Sequence, residues 1–367
     1  MHIRFFLSGG ILFALNSSLP IRSIFLAQPD KNDLRRFEYA TIPAGATCFQ
    51  FGTQPQNRPF QVTDWTSDIP FFVSLDQVLQ THQVRSCLVI QNDTIQYQYY
   101  RTGLDAASWH SSYSIAKAFT SALVGIAIDE GFIPSVQTKA LDYLPELAGL
   151  AQADQLTIEH LLNHTSGIGY DLTMDAVLYY GRDARRALRK IRFATAPGQQ
   201  QHYLNINVAL LGLILKRATD IPPAQDLTTK IWQPLGMCHD AVWSVDEKRR
   251  FEKTFCCLGA TALDYAKFGR LYLHQGVWEG QPILSQAWFQ QSIRRDSSRG
   301  SSFHYNYCWY MGLKAYGDFM AIGLYKQHLY IHPKKNLIIV LFNDREKPLK
   351  AERVNWWFVF RQIADQL

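Results

Sequence analysis

The side chains with the clearest capacity for chemistry are Ser114 and Lys117, three residues apart in the stretch SSYSIAKAFTSALVGIAIDEG that runs from Ser111 to Gly131. At helical spacing the hydroxyl and the amine share one face, one turn apart. That is a nucleophile beside a candidate base, at the positive end of a helix dipole. From Ile115 to Ile128 every residue except Lys117 is apolar, small or hydroxylic, the composition of a helix buried on all sides. A lysine there is costly, because burial disfavours the ammonium and pulls its pKa down. Ser-x-x-Lys is a short pattern, and a chain of this length contains about one by chance. On spacing alone, a snorkelling or structurally paired Lys117 stands level with a catalytic one.

Other candidate sites are weaker. His160 and His164 have the i, i+4 spacing of two zinc ligands, but Leu161 follows His160, so His-Glu-x-x-His is absent and no metal site is expected. No Gly-x-Ser-x-Gly elbow occurs, which argues against an α/β-hydrolase. The six cysteines, at 48, 87, 238, 256, 257 and 308, show no Cys-x-x-Cys spacing. They read as small buried residues rather than a disulfide framework. The basic run Arg182, Arg185, Arg186, Arg189, Lys190 and Arg192 reads as a solvated helix face, with contact to anionic lipid as the sharper alternative.

The elements that must position Ser114 follow from the rest of the chain. With 367 residues and 47 % apolar content it can bury a full core, as one large or two intimately joined domains. The net charge of +6 is mild, and no interleaving of basic and aromatic residues argues for nucleic acid. Arg4 followed by the apolar run Phe5 to Leu15 resembles the start of a signal sequence, although Gly9 and Gly10 interrupt it and Arg22 ends it. Residues 1–27 therefore read as a signal or membrane-associated segment, and the location as extracytoplasmic or membrane-associated. Residues 28–70 read as an irregular arm, and 71–367 as the main domain.

Within that domain, Cys87–Gln91 and Thr94–Tyr100 flank Asn92-Asp93 as a hairpin. Gly131 closes the Ser114 helix. A lobe of helices is expected over residues 132–254, with Thr157 and Asn205 as helix caps and one long helix over Met174–Phe193. A capping box at Thr261–Asp264 opens a further helix. Strands return at Phe319–Gly323, Gln327–His332 and Leu337–Phe342, and a last amphipathic helix starts at Ala351. The fold class is thus α/β. It is an antiparallel sheet built from the N- and C-terminal parts and flanked by helices, with an inserted all-helical lobe and Ser114 at the junction.

Several ordered runs together, SIAK, LPELAG, TIEHLLNHTSGI, HYLN, PLGM, ATALDYAKFGRLYL and IGLYKQHLYIHP, carry a resemblance from about Ser86 to the C-terminal strands. The chain resembles the serine beta-lactamase and penicillin-binding-protein superfamily, in the branch of class C beta-lactamases, carboxylesterases and 6-aminohexanoate-dimer hydrolases. The resemblance implies a cofactor-free serine hydrolase in which Ser114 is acylated, Lys117 is its partner and Tyr203 is the general base. A tyrosine usable as a base needs cationic charge nearby, which Lys117 could supply. It further implies an oxyanion hole from the backbone amides of Ser114 and Leu324, with Asn205 and Gly323 in substrate binding and Asn205 also able to hold Lys117. Where beta-lactamases carry Lys-Thr-Gly or a histidine variant, this chain has Ala321-Ile322-Gly323. The cation and hydroxyl for a beta-lactam carboxylate are missing, so a small ester or amide is the expected substrate class and efficient beta-lactam hydrolysis is not expected. Tyr325 and Lys326 stand where relatives carry smaller residues and are expected to narrow the pocket. The alternative is a non-catalytic peptidoglycan or beta-lactam binding protein on the same fold.

Overall fold

A computed structural model describes residues 29–30, 32–64, 71–297, 300–344 and 354–367, so the apolar N-terminal segment lies outside the described residues. The central feature is an eight-stranded sheet. From edge to edge it runs Tyr305–Asn306, Trp309–Met311, Phe319–Gly323, Gln327–His332, Leu337–Asn343, Val84–Gln91, Thr94–Tyr100 and Gly52–Thr53. All neighbours pair antiparallel except the short Gly52–Thr53 edge, which pairs parallel with Thr94 and Ile95. The hairpin turn at Asn92-Asp93 has positive φ at both residues, 51° and 55°. That is the backbone that the right-handed twist of a two-residue hairpin demands.

Both faces of the sheet are covered, and the run Leu337–Phe342 shows why it is apolar throughout. Leu337, Ile339 and Leu341 pack with Trp356, Val359, Phe360 and Ile363 of the C-terminal helix Trp356–Asp365. Ile338, Val340 and Phe342 point the other way, into the larger core that contains the helix Ala262–Leu273. A strand covered on both faces loses the polar alternation of a half-exposed one. Thr261 caps the second of these helices as expected, accepting from the Asp264 amide at 3.2 Å.

Residues 132–240 hold helices and 3₁₀ turns, with no strand but two isolated bridges, Lys139–Thr157 and Ile168–Phe193, and the strand Ala241–Ser244 ends the lobe short of the expected residue 254. Thr157 caps the helix Ile158–Leu162. Three further expectations differ from the structure. The arm over 28–70 is not wholly irregular, because Tyr39–Ile42 pairs with Ala241–Ser244, Gln61–Asp64 pairs with Phe71–Ser74, and Gly52–Thr53 extends the main sheet. Strands borrowed onto a distant edge leave no local periodicity. The long helix over Met174–Phe193 is broken into Leu172–Tyr180 and a 3₁₀ stretch Ala184–Lys190. At the break, a Cβ on Gly181 would lie 2.3 Å from the Val177 carbonyl oxygen, and Asp246 accepts from the Ala184 amide at 2.8 Å.

The third difference is the cysteines: Cys48–Cys238 and Cys256–Cys257 are disulfides, while Cys87 and Cys308 are free and buried. Cys48–Cys238 joins positions 190 residues apart and ties the arm to the helical lobe. Closing so long a loop removes much entropy from the unfolded chain, about 5 kcal/mol in the chain-entropy limit. Cys48→Ser is therefore expected to lower the unfolding free energy by about 2–5 kcal/mol. Urea titration of the two proteins in parallel measures it, and equal midpoints would show that the bond contributes nothing.

Candidate active site

Ser114 sits in a tight turn set by its neighbours on both sides. The strand Trp109–Ser111 pairs with Leu258–Thr261, and Ser112 extends the pairing, its amide donating to the Leu258 carbonyl at 2.8 Å. The Ser112 hydroxyl accepts in return from the Leu258 amide at 3.0 Å. A 3₁₀ turn, Tyr113–Ile115, then leads into the helix Ala116–Asp129. Tyr113 has φ +41°, a left-handed conformation uncommon for a bulky residue and one that concentrates at functional sites. Gly131 has φ +80° just past the helix, the backbone expected of a terminating glycine.

Every residue from Ala116 to Ala127 is buried, and Lys117 is 1 % exposed. Its Nζ donates to Ser114 Oγ at 2.9 Å, to Asn205 Oδ1 at 3.0 Å and to the Phe255 carbonyl oxygen at 2.7 Å. Three N–H groups thus meet three acceptors, and no acid is among them. Burial pulls the Lys117 pKa down to about 7, opposed by weaker attraction to Cys308 and Asp175. The Asn205 orientation is set from its other side, where Nδ2 faces Asp175 Oδ1 at 3.4 Å.

Asn205 is the first residue of the helix Asn205–Thr219 but makes no cap, contrary to the sequence expectation. Its carbonyl oxygen is committed to Lys117 instead. Tyr203 lies two residues earlier, in the extended segment that enters this helix. The Lys117 Nζ is 4.9 Å from its ring centre. The tyrosine is 42 % exposed as a residue. Burial around the phenol raises it well above its ordinary value, Tyr310 adds to this, and the Ser114 side chain opposes it.

The strand Phe319–Gly323 ends against the turn that carries Ser114. A Cβ on Gly323 would lie 2.4 Å from the Ser112 carbonyl oxygen, so only glycine allows this approach. Leu324 follows, 44 % exposed, and then Tyr325 with φ +62°. The Tyr325 ring meets Tyr113 edge-on at 5.3 Å, and its hydroxyl donates to the Pro29 carbonyl oxygen. The six residues expected at the site, Ser114, Lys117, Tyr203, Asn205, Gly323 and Leu324, thus come from three separate stretches of chain.

The beta-lactamase family model matches residues 80–363 of this chain. The chain belongs to the beta-lactamase family. It is 26 % identical over 303 residues to the 6-aminohexanoate-dimer hydrolase of Paenarthrobacter ureafaciens, covering 75 % of this chain and 76 % of that protein. It is 34 % identical over 125 residues to the esterase EstB of Burkholderia gladioli, covering 30 % of this chain and 31 % of the relative. A solved structure of a proposed 6-aminohexanoate-dimer hydrolase from Bacillus anthracis superposes with a TM-score of 0.79 at 23 % identity over 90 % of both chains, a likeness of fold. These relatives carry the beta-lactamase fold in its hydrolase branches, in line with the resemblance read from the motifs.

Within this beta-lactamase fold, several polar groups at the site had no signal in the sequence. The Phe255 acceptor is a backbone carbonyl, and Asp175 has no motif around it. The two histidines spaced like zinc ligands are occupied elsewhere: His160 Nδ1 pairs with Thr157, and His164 Nδ1 accepts from the Leu204 amide at 3.1 Å. In the basic run, Arg182 pairs with Glu247 at 3.0 Å, and Arg186 pairs with Asp183 at 4.0 Å.

Proposed function

We propose that the protein is a serine hydrolase that cleaves a small ester or amide through an acyl-enzyme on Ser114. The observation that carries this reading is the Lys117 amine, buried, 2.9 Å from the Ser114 hydroxyl and held near neutrality. Asn205 Oδ1 and the Phe255 carbonyl can only accept hydrogen bonds. When Lys117 loses one proton, these two acceptors retain its remaining N–H groups, and the lone pair faces Ser114 Oγ. The neutral amine takes the serine proton as Oγ attacks the substrate carbonyl. The oxyanion forms against the backbone amides of Ser114 and Leu324. Tyr203, which the resemblance casts as the general base, is instead kept protonated by its surroundings, gives its proton to the departing alkoxide or amine and is reprotonated by Lys117. Water then repeats the sequence on the acyl-enzyme, and the serine, lysine and tyrosine return to their starting states.

The hydrolase and esterase names of the relatives support the ester or amide class, and Ala321-Ile322-Gly323 supports acyl donors without a carboxylate beside the scissile bond. The Cys48–Cys238 disulfide, with the apolar run of residues 5–15, supports work outside the reducing cytoplasm.

A fluorophosphonate probe tests the acylation step. The wild type is expected to be labelled, and Ser114→Ala is expected to lose all labelling. An unlabelled, folded wild type would sink the reading. Labelling without turnover of any short-chain 4-nitrophenyl ester, chromogenic cephalosporin or D-amino-acid amide would instead favour the binding protein.

A further inference from the structure

His164 meets Tyr203 and both of its neighbours. It is completely buried, and its backbone is left-handed, φ +58°. Its carbonyl oxygen accepts from the His202 amide at 2.8 Å. Its Nδ1 accepts from the Leu204 amide at 3.1 Å. Its ring stacks on the Tyr203 ring, centres 4.4 Å apart and planes at 26°. In an extended segment the amides of residues 202 and 204 point to the same side, where a paired strand would offer two carbonyls. Among the described residues no strand pairs with this segment. One histidine supplies both acceptors, one from its backbone and one from its side chain, and covers the residue between them with its ring.

The tautomer follows from the backbone. The Leu204 amide can only donate, so Nδ1 is the acceptor and the ring proton sits on Nε2. Asn207, also buried, faces the same Nδ1 through Nδ2 at 3.2 Å. Nε2 has no hydrogen-bond partner among the described residues. Charging the ring would place its second proton on Nδ1, against the Leu204 and Asn207 N–H groups, and the ring stays neutral: burial first, and Lys117 second, push its pKa well below the ordinary histidine value.

We propose that His164 is the positioning residue that sets the Tyr203 hydroxyl against Ser114. It does so by bonding the amides on either side of the tyrosine and stacking on its ring. This rests on the reading of Ser114 and Tyr203 as reacting groups. A histidine that only filled the core would need none of the three contacts to converge on residues 202–204. The left-handed backbone restricts replacements, and asparagine is among the few side chains that tolerate it.

The test compares His164→Asn with wild type on a short-chain 4-nitroanilide and the matching 4-nitrophenyl ester. Nitrophenolate leaves as a stabilised anion, whereas the anilide nitrogen must be protonated as it departs. Displacing Tyr203 should therefore lower kcat/KM on the anilide by about 10- to 100-fold, the scale set by misplacing a reacting group by about 1 Å. On the ester kcat/KM, which reports only the steps up to nitrophenolate release, should fall much less. In a Tyr203→Phe background, His164→Asn should add almost nothing, because two changes acting through one hydroxyl are not additive. Equal losses on ester and anilide, or a full additional loss in the Tyr203→Phe background, would overturn the proposal. If His164→Asn does not fold, Asn207→Ala, which releases the second donor on Nδ1, takes its place in the same cycle. Failure of wild type to react with fluorophosphonate would be a different result, striking the Ser114 reading rather than the His164 contacts.

Discussion

Lys117→Met is expected to lower turnover of a short-chain ester by about 10³- to 10⁴-fold, near the top of the range for a positioned general base. The size follows from the geometry. Among the described residues the lysine is the one basic group bonded to Ser114 Oγ, at 2.9 Å, and its remaining hydrogen bonds go to groups that cannot take a proton. Lys117→Arg separates the two tasks a lysine could have here. Guanidinium keeps the charge but does not give up its proton in a protein, so an Arg variant as slow as Met identifies the free amine as the active form. An Arg variant close to wild type would mean that only the charge matters. The pH dependence carries a sign as well. With a folded pKa of about 7, the amine is protonated below that value and free above it. The kcat/KM of the wild type should therefore rise with pH through about 7 and then level, and Lys117→Met should lose that limb. Stability gives an independent reading. The folded state holds this pKa below the ordinary 10.5, so between the two values the unfolded chain binds more protons, and stability rises with pH across that window. Below about 7 both states are protonated and the burial cost is fully present.

Much of this candidate site was legible because Ser114 and Lys117 are out of place in their local pattern. One lysine in fourteen otherwise uncharged helical positions, with a serine one turn before it, needs a reason, and the motifs at Tyr203 and Gly323 supplied one. The sheet was legible too, because Asn92-Asp93 and the strands from Phe319 onward obey local turn and alternation rules. What escaped the sequence depends on contacts across the fold. Cys48 and Cys238 carry no spacing rule across 190 residues. Cys256 and Cys257 are two small buried residues until their sulfurs are seen bonded. Asn205 has the right type and position to cap a helix, and a buried ammonium outcompetes that use. His164 was visible only as a spacing that suggested zinc. Its actual partners are two backbone amides and a ring, none of which a pattern of side-chain types can express.

Tyr203→Phe is expected to lower turnover at least about a hundredfold on substrates whose leaving group needs a proton. Its phenol is pushed well above the ordinary tyrosine value, chiefly by enclosure, while Lys117 beside it is pulled down to about 7. Two groups with pKa values driven apart in one site divide the acid and base work between them. The lysine accepts the serine proton, and the tyrosine, still protonated through the neutral range, donates to the leaving group. This division has consequences that a phenolate base would not share. Tyr203→Phe should keep the rising limb near pH 7 that belongs to Lys117 and lower only the plateau above it. The loss in kcat/KM, which reports only the steps up to release of the first leaving group, should be large on an alkyl ester or anilide and small on a 4-nitrophenyl ester, whose leaving group needs no acid. A phenolate base would instead make both substrates lose turnover together, because attack by Ser114 precedes either departure. Rate profiles of wild type and Tyr203→Phe on the two substrates, taken from about pH 5 to 9 across the Lys117 transition, decide between these. Turnover close to wild type on the anilide would remove Tyr203 from the mechanism.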